Sequence, residues 1–202
     1  MLFLLSKVAN SCGLLDSTPQ GDRELQEENG KPIPPEVYKN TLYFETGNYG
    51  GSGLKQLLDA GANPDESFVP KGTSNPGLEE MAGLSALHMA VFSWHPEAVQ
   101  LLLDYGANID IKSKDGRGLM PLHFAVLLRN ENMVKLLVNN GADINAQDNN
   151  GCTPLCAAAK SLLDYFPDYF RRWAEGQLEK HLEKEKGVSI PDFLKSKGAT
   201  AD

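Results

Sequence analysis

A short leucine-containing motif recurs along this chain at nearly constant spacing. Leu87-His88-Met89-Ala90 returns as Leu122-His123-Phe124-Ala125 and again as Leu155-Cys156-Ala157-Ala158. The first two leucines are 35 residues apart and the last two are 33 apart. Internal similarity at such a period predicts stacked helix pairs, because each pair can bury its apolar face only against its neighbours.

A second landmark follows the first at fixed distance. Gly61-Ala62-Asn63 recurs as Gly106-Ala107-Asn108 and as Gly141-Ala142-Asp143, and both Leu87 to Gly106 and Leu122 to Gly141 span 19 residues. We expect each glycine to end the second helix of a pair in a left-handed cap. With apolar periodicity and proline positions, these landmarks predict helices over 41–48, 54–60, 86–93, 96–104, 121–128, 131–139, 154–163 and 168–186.

The landmarks resemble one known family. Met120-Pro121-Leu122-His123-Phe124-Ala125 and Thr153-Pro154-Leu155-Cys156-Ala157-Ala158 resemble the Thr-Pro-Leu-His-x-Ala signature of ankyrin repeats, and Gly141–Asn145 resembles the turn that follows their second helix. The resemblance covers about residues 38–165. It implies an all-α ankyrin-repeat solenoid of about four helix-turn-helix repeats with modified terminal caps. It also implies protein–protein recognition through a concave groove and projecting finger loops, without intrinsic catalysis.

Composition divides the chain into three predicted parts. Residues 1–37 are predicted to form a flexible N-terminal tail, because residues 16–36 are polar and acidic and carry too little apolar surface to offset ordering entropy. The ankyrin-repeat domain is predicted over 38–186 and a C-terminal extension over 187–202. Within that extension, Ser189–Leu194 is either a last packed turn or a short docking peptide.

Charge and cysteine content restrict the partners and the compartment. The net charge of -8 and the absence of a Lys/Arg block argue against nucleic-acid binding. No apolar run approaches the ~18 residues of a membrane-spanning helix. The three cysteines, Cys12, Cys152 and Cys156, favour a reducing compartment such as the cytoplasm, without disulfides. Residues 1–15, which carry Lys7 and no acidic residue, are also compatible with an organelle transit peptide.

Candidate catalytic residues have a structural explanation as well. His88, His123 and Cys156 occupy the same slot of successive repeats, where a Cys–His pair would suggest a cysteine-dependent hydrolase. Neighbouring helices pack ~8–10 Å apart, which is too wide for the ~3 Å contact of a nucleophile with its base. We therefore expect the histidines to tie repeats together through backbone hydrogen bonds. No metal-binding spacing is present, so we predict neither an enzyme nor a cofactor.

The loops between repeats differ in length. Gly141 to Leu155 spans 14 residues, Gly106 to Leu122 spans 16, and Gly61 to Leu87 spans 26. We call these loops the third, second and first finger. The first finger therefore carries twelve extra residues and the second carries two. Insertions in a solenoid map to one face, which is often the binding face.

The resemblance also indicates candidate partner-binding residues. Positions that line the groove of ankyrin-type binders here hold apolar side chains, and a contiguous apolar strip marks a contact site. In the alternative, residues 66–82 of the first finger fold back and cover the strip. The predicted partner-binding residues are Leu84, Phe92, Leu119, Leu127 and Cys152 in the strip, Trp94 as its extension, and Lys114, Arg117, Asn149 and Asn150 as a polar rim.

Together these features predict an adaptor or regulatory subunit, monomeric when unbound, that binds another protein of unknown identity. The alternative is a permanent structural subunit of a larger assembly.

Overall fold

The computed structural model describes residues 42, 45–46, 52–69, 81–160, 165 and 189–200. Within these ranges the named elements are all helices; the only β-type pairing there is an isolated antiparallel bridge between Ser67 and Ser85. The helices are α1 (Ser52–Asp59), α2 (Ala86–Phe92), α3 (Pro96–Asp104), α4 (Pro121–Leu127), α5 (Glu131–Asn139), α6 (Pro154–Ala158) and α7 (Ile190–Ser196).

The helices form pairs that stack in sequence order. Helix α2 contacts α3 within repeat two, and α4 contacts α5 within repeat three. The first helices also contact each other across repeats, since α2 packs on α4 and α4 packs on α6. All seven residues of α2 and of α4 are buried, whereas α3 and α5 are buried only along one face. A helix that is buried all round requires neighbours on more than one side, and the helices of the same and the next repeat supply them.

Each second helix ends in the same glycine turn. Gly61, Gly106, Gly141 and Gly198 have φ angles between 82° and 93°. The amide of the alanine that follows each glycine donates to a leucine carbonyl five residues earlier, at 3.0–3.1 Å. These bonds satisfy carbonyls that the end of a helix leaves unpaired. The predicted left-handed caps are confirmed, and Gly198-Ala199 adds a fourth copy that the sequence landmarks had not included.

Helix α7 takes the place of the second helix of repeat four. It packs on α6, with Ile190 and Leu194 buried, and it ends at the same glycine turn as α1, α3 and α5. The segment Ser189–Leu194 is therefore a packed element, as the first of the two sequence interpretations predicted. The helix expected at 168–186 lies outside the described residues, and so does the predicted N-terminal tail.

Most helix bounds agree with the sequence predictions. The helices predicted at 96–104 and 131–139 are observed as α3 and α5. Those at 86–93 and 121–128 end one residue earlier, and the one at 54–60 begins two residues earlier and ends one residue earlier. The helix predicted at 154–163 is α6, which ends at Ala158 in the described part of the chain. Leu42, Glu45 and Thr46 are helical, as expected for the first helix of repeat one.

The turns between paired helices contain two strained residues. Trp94 has φ 61° and Arg129 has φ 55°, and they are the only non-glycine residues with positive φ in the described ranges. They are 35 residues apart and occupy equivalent positions after α2 and α4. Because α2 joins the first finger to this turn, Trp94 lies at the opposite end of the helix from the fingers.

Candidate protein-binding surface

The fingers are joined to one another by backbone hydrogen bonds. The Lys114 amide donates to the Gly83 carbonyl at 2.8 Å, and the Asn149 amide donates to the Arg117 carbonyl at 3.0 Å. The Asn149 side chain adds a bond to the Gly116 carbonyl at 2.9 Å. The three fingers therefore form one continuous row rather than three independent loops.

An aspartate holds the second finger in shape. Asp115 accepts hydrogen bonds from the Ser113 hydroxyl, the Arg117 amide and the Arg117 guanidinium, all at 2.8–2.9 Å. Burial alone would raise the pKa of Asp115, but the bonds from Arg117 and Ser113 outweigh it and lower that pKa below its ordinary value. The carboxylate is thus ionised and ordered.

Asp148 has the equivalent role in the third finger. Its Oδ1 accepts from the amides of Asn150, at 2.7 Å, and Cys152, at 2.9 Å. Its Oδ2 accepts from the Tyr165 hydroxyl at 3.1 Å, and the Tyr165 carbonyl accepts from Arg117. Tyr165 therefore bridges the second and third fingers. Sequence reasoning did not find Tyr165, because its distance from both fingers in sequence gives no local signal.

The two histidines tie the repeats together beneath the fingers. His88 is fully buried, and its Nε2 donates to the Leu119 carbonyl of the next repeat at 2.8 Å. Its Nδ1 accepts from the Ser85 amide at 3.2 Å and lies 2.8 Å from the Ser85 hydroxyl. Burial lowers the pKa of His88 to about 4, so the ring is neutral near pH 7.

His123 makes the corresponding bond to repeat four. Its Nε2 donates to the Cys152 carbonyl at 2.9 Å, and burial lowers its pKa as well. Its Nδ1 is buried and has no hydrogen-bond partner among the described residues. The residue equivalent to Ser85 is Met120, which carries no hydroxyl. Both histidines thus have the structural role that the sequence predicted.

The predicted apolar strip is not a surface in this structure. Its five members are 0–3 % exposed, so the expectation that they face solvent is wrong. Leu84 is covered by the base of the first finger, where the Phe68 amide donates to the Leu84 carbonyl at 2.7 Å and the Phe68 side chain joins the same apolar cluster. The alternative, in which residues 66–82 as a whole fold back over the strip, stays a prediction, because residues 70–80 lie outside the described ranges. The five buried residues are Leu84, Phe92, Leu119, Leu127 and Cys152.

The predicted polar rim divides into two kinds of residue. Lys114 and Asn150 are exposed, and their backbone amides, not their side chains, bond to the fingers. Arg117 and Asn149 use their side chains within the finger row. Trp94 is half-buried and packs against the core. A binding role for any of these residues stays a prediction.

Two cysteines depart from the sequence expectation. Cys152 and Cys156 are joined by a disulfide, with their Cα atoms 5.4 Å apart, so the prediction that the chain carries no disulfide is wrong. The physical reason is local geometry: Cys152 ends the third finger and Cys156 lies in the first turn of α6, which places the Cα atoms within the range that a disulfide spans. The prediction of a reducing compartment is not tested by this geometry.

The repeated hydrogen bonds and turns correspond to a known family. A family model for ankyrin repeats (three copies) matches residues 47–148 and 87–166, which together make up more than half of the chain. The chain belongs to the ankyrin-repeat family. No curated protein matches it significantly.

Membership of the ankyrin family sets the general function. Ankyrin repeats mediate protein–protein interactions, and the family is typically non-enzymatic. In the described part of the chain, no helix has the length and apolarity that a membrane span requires. Among the same residues, no three His, Cys, Asp or Glu side chains come together as metal ligands.

Proposed function

We propose that this ankyrin-repeat chain is an adaptor or regulatory subunit that binds a partner protein through the tips of its second and third fingers. The observation that supports the proposal is the exposure of Lys114 and Asn150 on fingers whose backbones are hydrogen-bonded into one row. Loops that are already ordered lose little conformational entropy on binding, and more of the interaction energy therefore appears as affinity.

The buried apolar residues have a supporting role in this proposal. Leu119 and Cys152 lie at the bases of the second and third fingers, and their carbonyls accept the histidine bonds from the preceding repeat. These two residues set the position of the finger tips and do not contact the partner. The contact surface is then polar, and its specificity comes from hydrogen bonds and charge rather than from an apolar strip.

The test is affinity purification from cells with a finger-tip variant and a charge-matched control. Lys114→Glu combined with Asn150→Ala changes two exposed side chains and leaves the backbone bonds of both residues in place. Lys195→Glu makes the same charge change on the exposed face of α7. We expect the finger-tip variant to lose the partner while the control retains it, with both variants unfolding at the wild-type temperature.

Equal recovery of the partner by both variants would contradict the finger-tip assignment. A partner that stays bound at fixed stoichiometry in high salt would instead favour the permanent structural subunit, because polar finger contacts weaken as salt screens charge.

A further inference from the structure

Repeat four is assembled from two segments that are distant in sequence. Its first helix, α6, ends at Ala158, and its second helix, α7, begins at Ile190. In repeats two and three the paired helices are separated by only three residues, 93–95 and 128–130. The position of α7 therefore depends on the contacts it makes where it docks.

The turn after α7 continues a hydrogen-bonded series along the stack. The Asn108 amide donates to Asp65 Oδ1 at 2.8 Å, and the Asp143 amide donates to Asp110 Oδ1 at 3.0 Å. The third bond runs from the Thr200 amide to Asn145 Oδ1 at 2.8 Å. The register of residues 198–200 thus matches that of the two earlier turns.

One bond connects this turn to the start of α6. The Thr153 hydroxyl donates to the Thr200 carbonyl at 3.0 Å. The Thr153 hydroxyl oxygen also accepts a hydrogen bond from the Cys156 amide at 3.3 Å, which makes Thr153 the N-cap of α6. Thr153 itself is 1 % exposed, whereas its partner Thr200 is exposed, so the bond joins the buried end of α6 to the surface turn after α7.

The disulfide spans Thr153 directly. It joins the residue before Thr153 to the residue whose amide Thr153 caps. Opening it removes the cross-link between Cys152 and the first turn of α6, and α6 is only five residues long. Short helices of this kind depend on their packing and caps, because few internal hydrogen bonds hold them.

We propose that the Cys152–Cys156 disulfide is a redox-sensitive lock on the docking of residues 189–200. Cys152 is 3 % exposed whereas Cys156 is half-buried, so a dithiol reductant reaches the Cys156 sulfur first. Its thiolate bonds to Cys156 Sγ, the Sγ–Sγ bond breaks, and Cys152 leaves as a thiolate that takes up a proton. The second thiol of the reductant then displaces Cys156, which is protonated in turn, and the reductant is left as a disulfide.

Reduction then loosens the docked segment rather than the whole stack. The buried anchors of residues 189–200 are Ile190 and Leu194, and few buried apolar contacts correspond to low local stability. Repeats two and three keep their own caps and both histidine bonds. The reduced chain therefore exposes the α6 surface that α7 covers, while the fingers remain in place.

Hydrogen–deuterium exchange on the full chain, followed by mass spectrometry, tests the lock. We expect amides in 190–200 to exchange roughly ten-fold faster after reduction with a dithiol, while amides of α4 and α5 are unchanged. Cys156→Ser should show the fast exchange with or without reductant. Thr153→Val, which keeps both cysteines but loses the hydroxyl, should raise exchange in 190–200 even when oxidised.

Two results would overturn the proposal. One is complete alkylation of Cys152 and Cys156 in chain purified without reductant, because no disulfide would then exist to act as a lock. The other is identical exchange of residues 190–200 in the oxidised and reduced wild-type chain. Both measurements use wild-type protein and so do not depend on whether a variant folds.

Discussion

Two junctions between repeats use the same histidine bond but differ in how the rest of the ring is satisfied. Between repeats two and three, His88 bonds to Leu119 on one side and to Ser85 on the other. Between repeats three and four, His123 keeps the bond to Cys152, while its Nδ1 is buried without a partner in the described part of the chain. The bond that crosses to the next repeat is present in both.

The comparison shows which part of the motif holds the stack together. The residue before the helix can be Ser85 or Met120, and only the serine caps the helix through its side chain. The bond to the next finger base links two repeats that share no covalent connection at that point. We therefore expect loss of the inter-repeat bond to cost more stability than loss of the cap.

The largest effect is expected from removing His88. His88→Ala removes one of the two donors to the buried Leu119 carbonyl, which keeps the bond from the Ser113 amide, and it opens a cavity beside Phe124, whose ring lies 5.1 Å from the His88 ring. We expect the free energy of unfolding to fall by about 4 kcal/mol for His88→Ala and by about 3 kcal/mol for His123→Ala. Urea unfolding of both variants measures this, and a larger loss at His123 would contradict the ranking.

The second effect is a pH dependence that follows from the pKa of His88. Burial lowers that pKa from 6.5 to about 4. Between these pH values the unfolded chain binds a proton that the folded chain does not, so the free energy of unfolding falls as pH decreases through this window. The stabilisation is complete above pH 6.5, and about 3 kcal/mol of it is lost by pH 4.

Urea unfolding at a series of pH values checks this dependence. Carboxylates also titrate in part of the range, so the quantity to compare is the difference between wild type and His88→Gln, whose amide does not titrate. If the free energy of unfolding changed with pH equally in wild type and in His88→Gln, His88 would not be the group responsible for the pH dependence.

The third effect is expected from adding a methyl group to a glycine at each contact between adjacent fingers. Gly83 and Gly118 both have positive φ, at 83° and 65°. A Cβ on Gly83 would lie 2.6 Å from the Lys114 carbonyl carbon, whereas a Cβ on Gly118 would meet the Asn149 side chain, which can rotate with loss of its single bond to the Gly116 carbonyl. We expect Gly83→Ala to lower the free energy of unfolding by about 2 kcal/mol more than Gly118→Ala.

Gly116→Ala is the matched control for this pair, because its φ is 90° and a Cβ there has no atom within 4 Å. It should show only the backbone cost of placing an L-residue at positive φ, about 1 kcal/mol of unfolding free energy. Thermal or urea unfolding of the three variants gives the comparison. If Gly83→Ala and Gly116→Ala lowered the free energy of unfolding equally, the close contact between Gly83 and Lys114 would not contribute to stability.

The smallest effect is expected from converting the first junction into the second. Ser85→Ala removes the cap of α2 and the hydroxyl next to His88 Nδ1, and it should cost about 1 kcal/mol. The double variant Ser85→Ala/His88→Ala measures the coupling between the two side chains. Strictly additive losses would show that the serine acts on the helix alone.

The sequence predicted the regular features of the stack because those depend on local patterns. Helices α3 and α5, the glycine turns and the bonding role of His88 follow from periodicity, caps and a motif of six residues. The burial of Phe92 and Leu127 could not be predicted, since the exposure of a groove position depends on what else in the chain packs there. The docking of α7 was missed as a repeat element because about thirty residues separate it from α6.

By itself, the sequence determined that this chain would stack ankyrin-type helix pairs, since a repeated short-range pattern imposes the same local structure each time. Tertiary structure alone decided which apolar side chains are covered and which segment completes repeat four. Those outcomes depend on contacts between residues far apart in the chain, and such contacts produce no regular pattern in the sequence that would predict them.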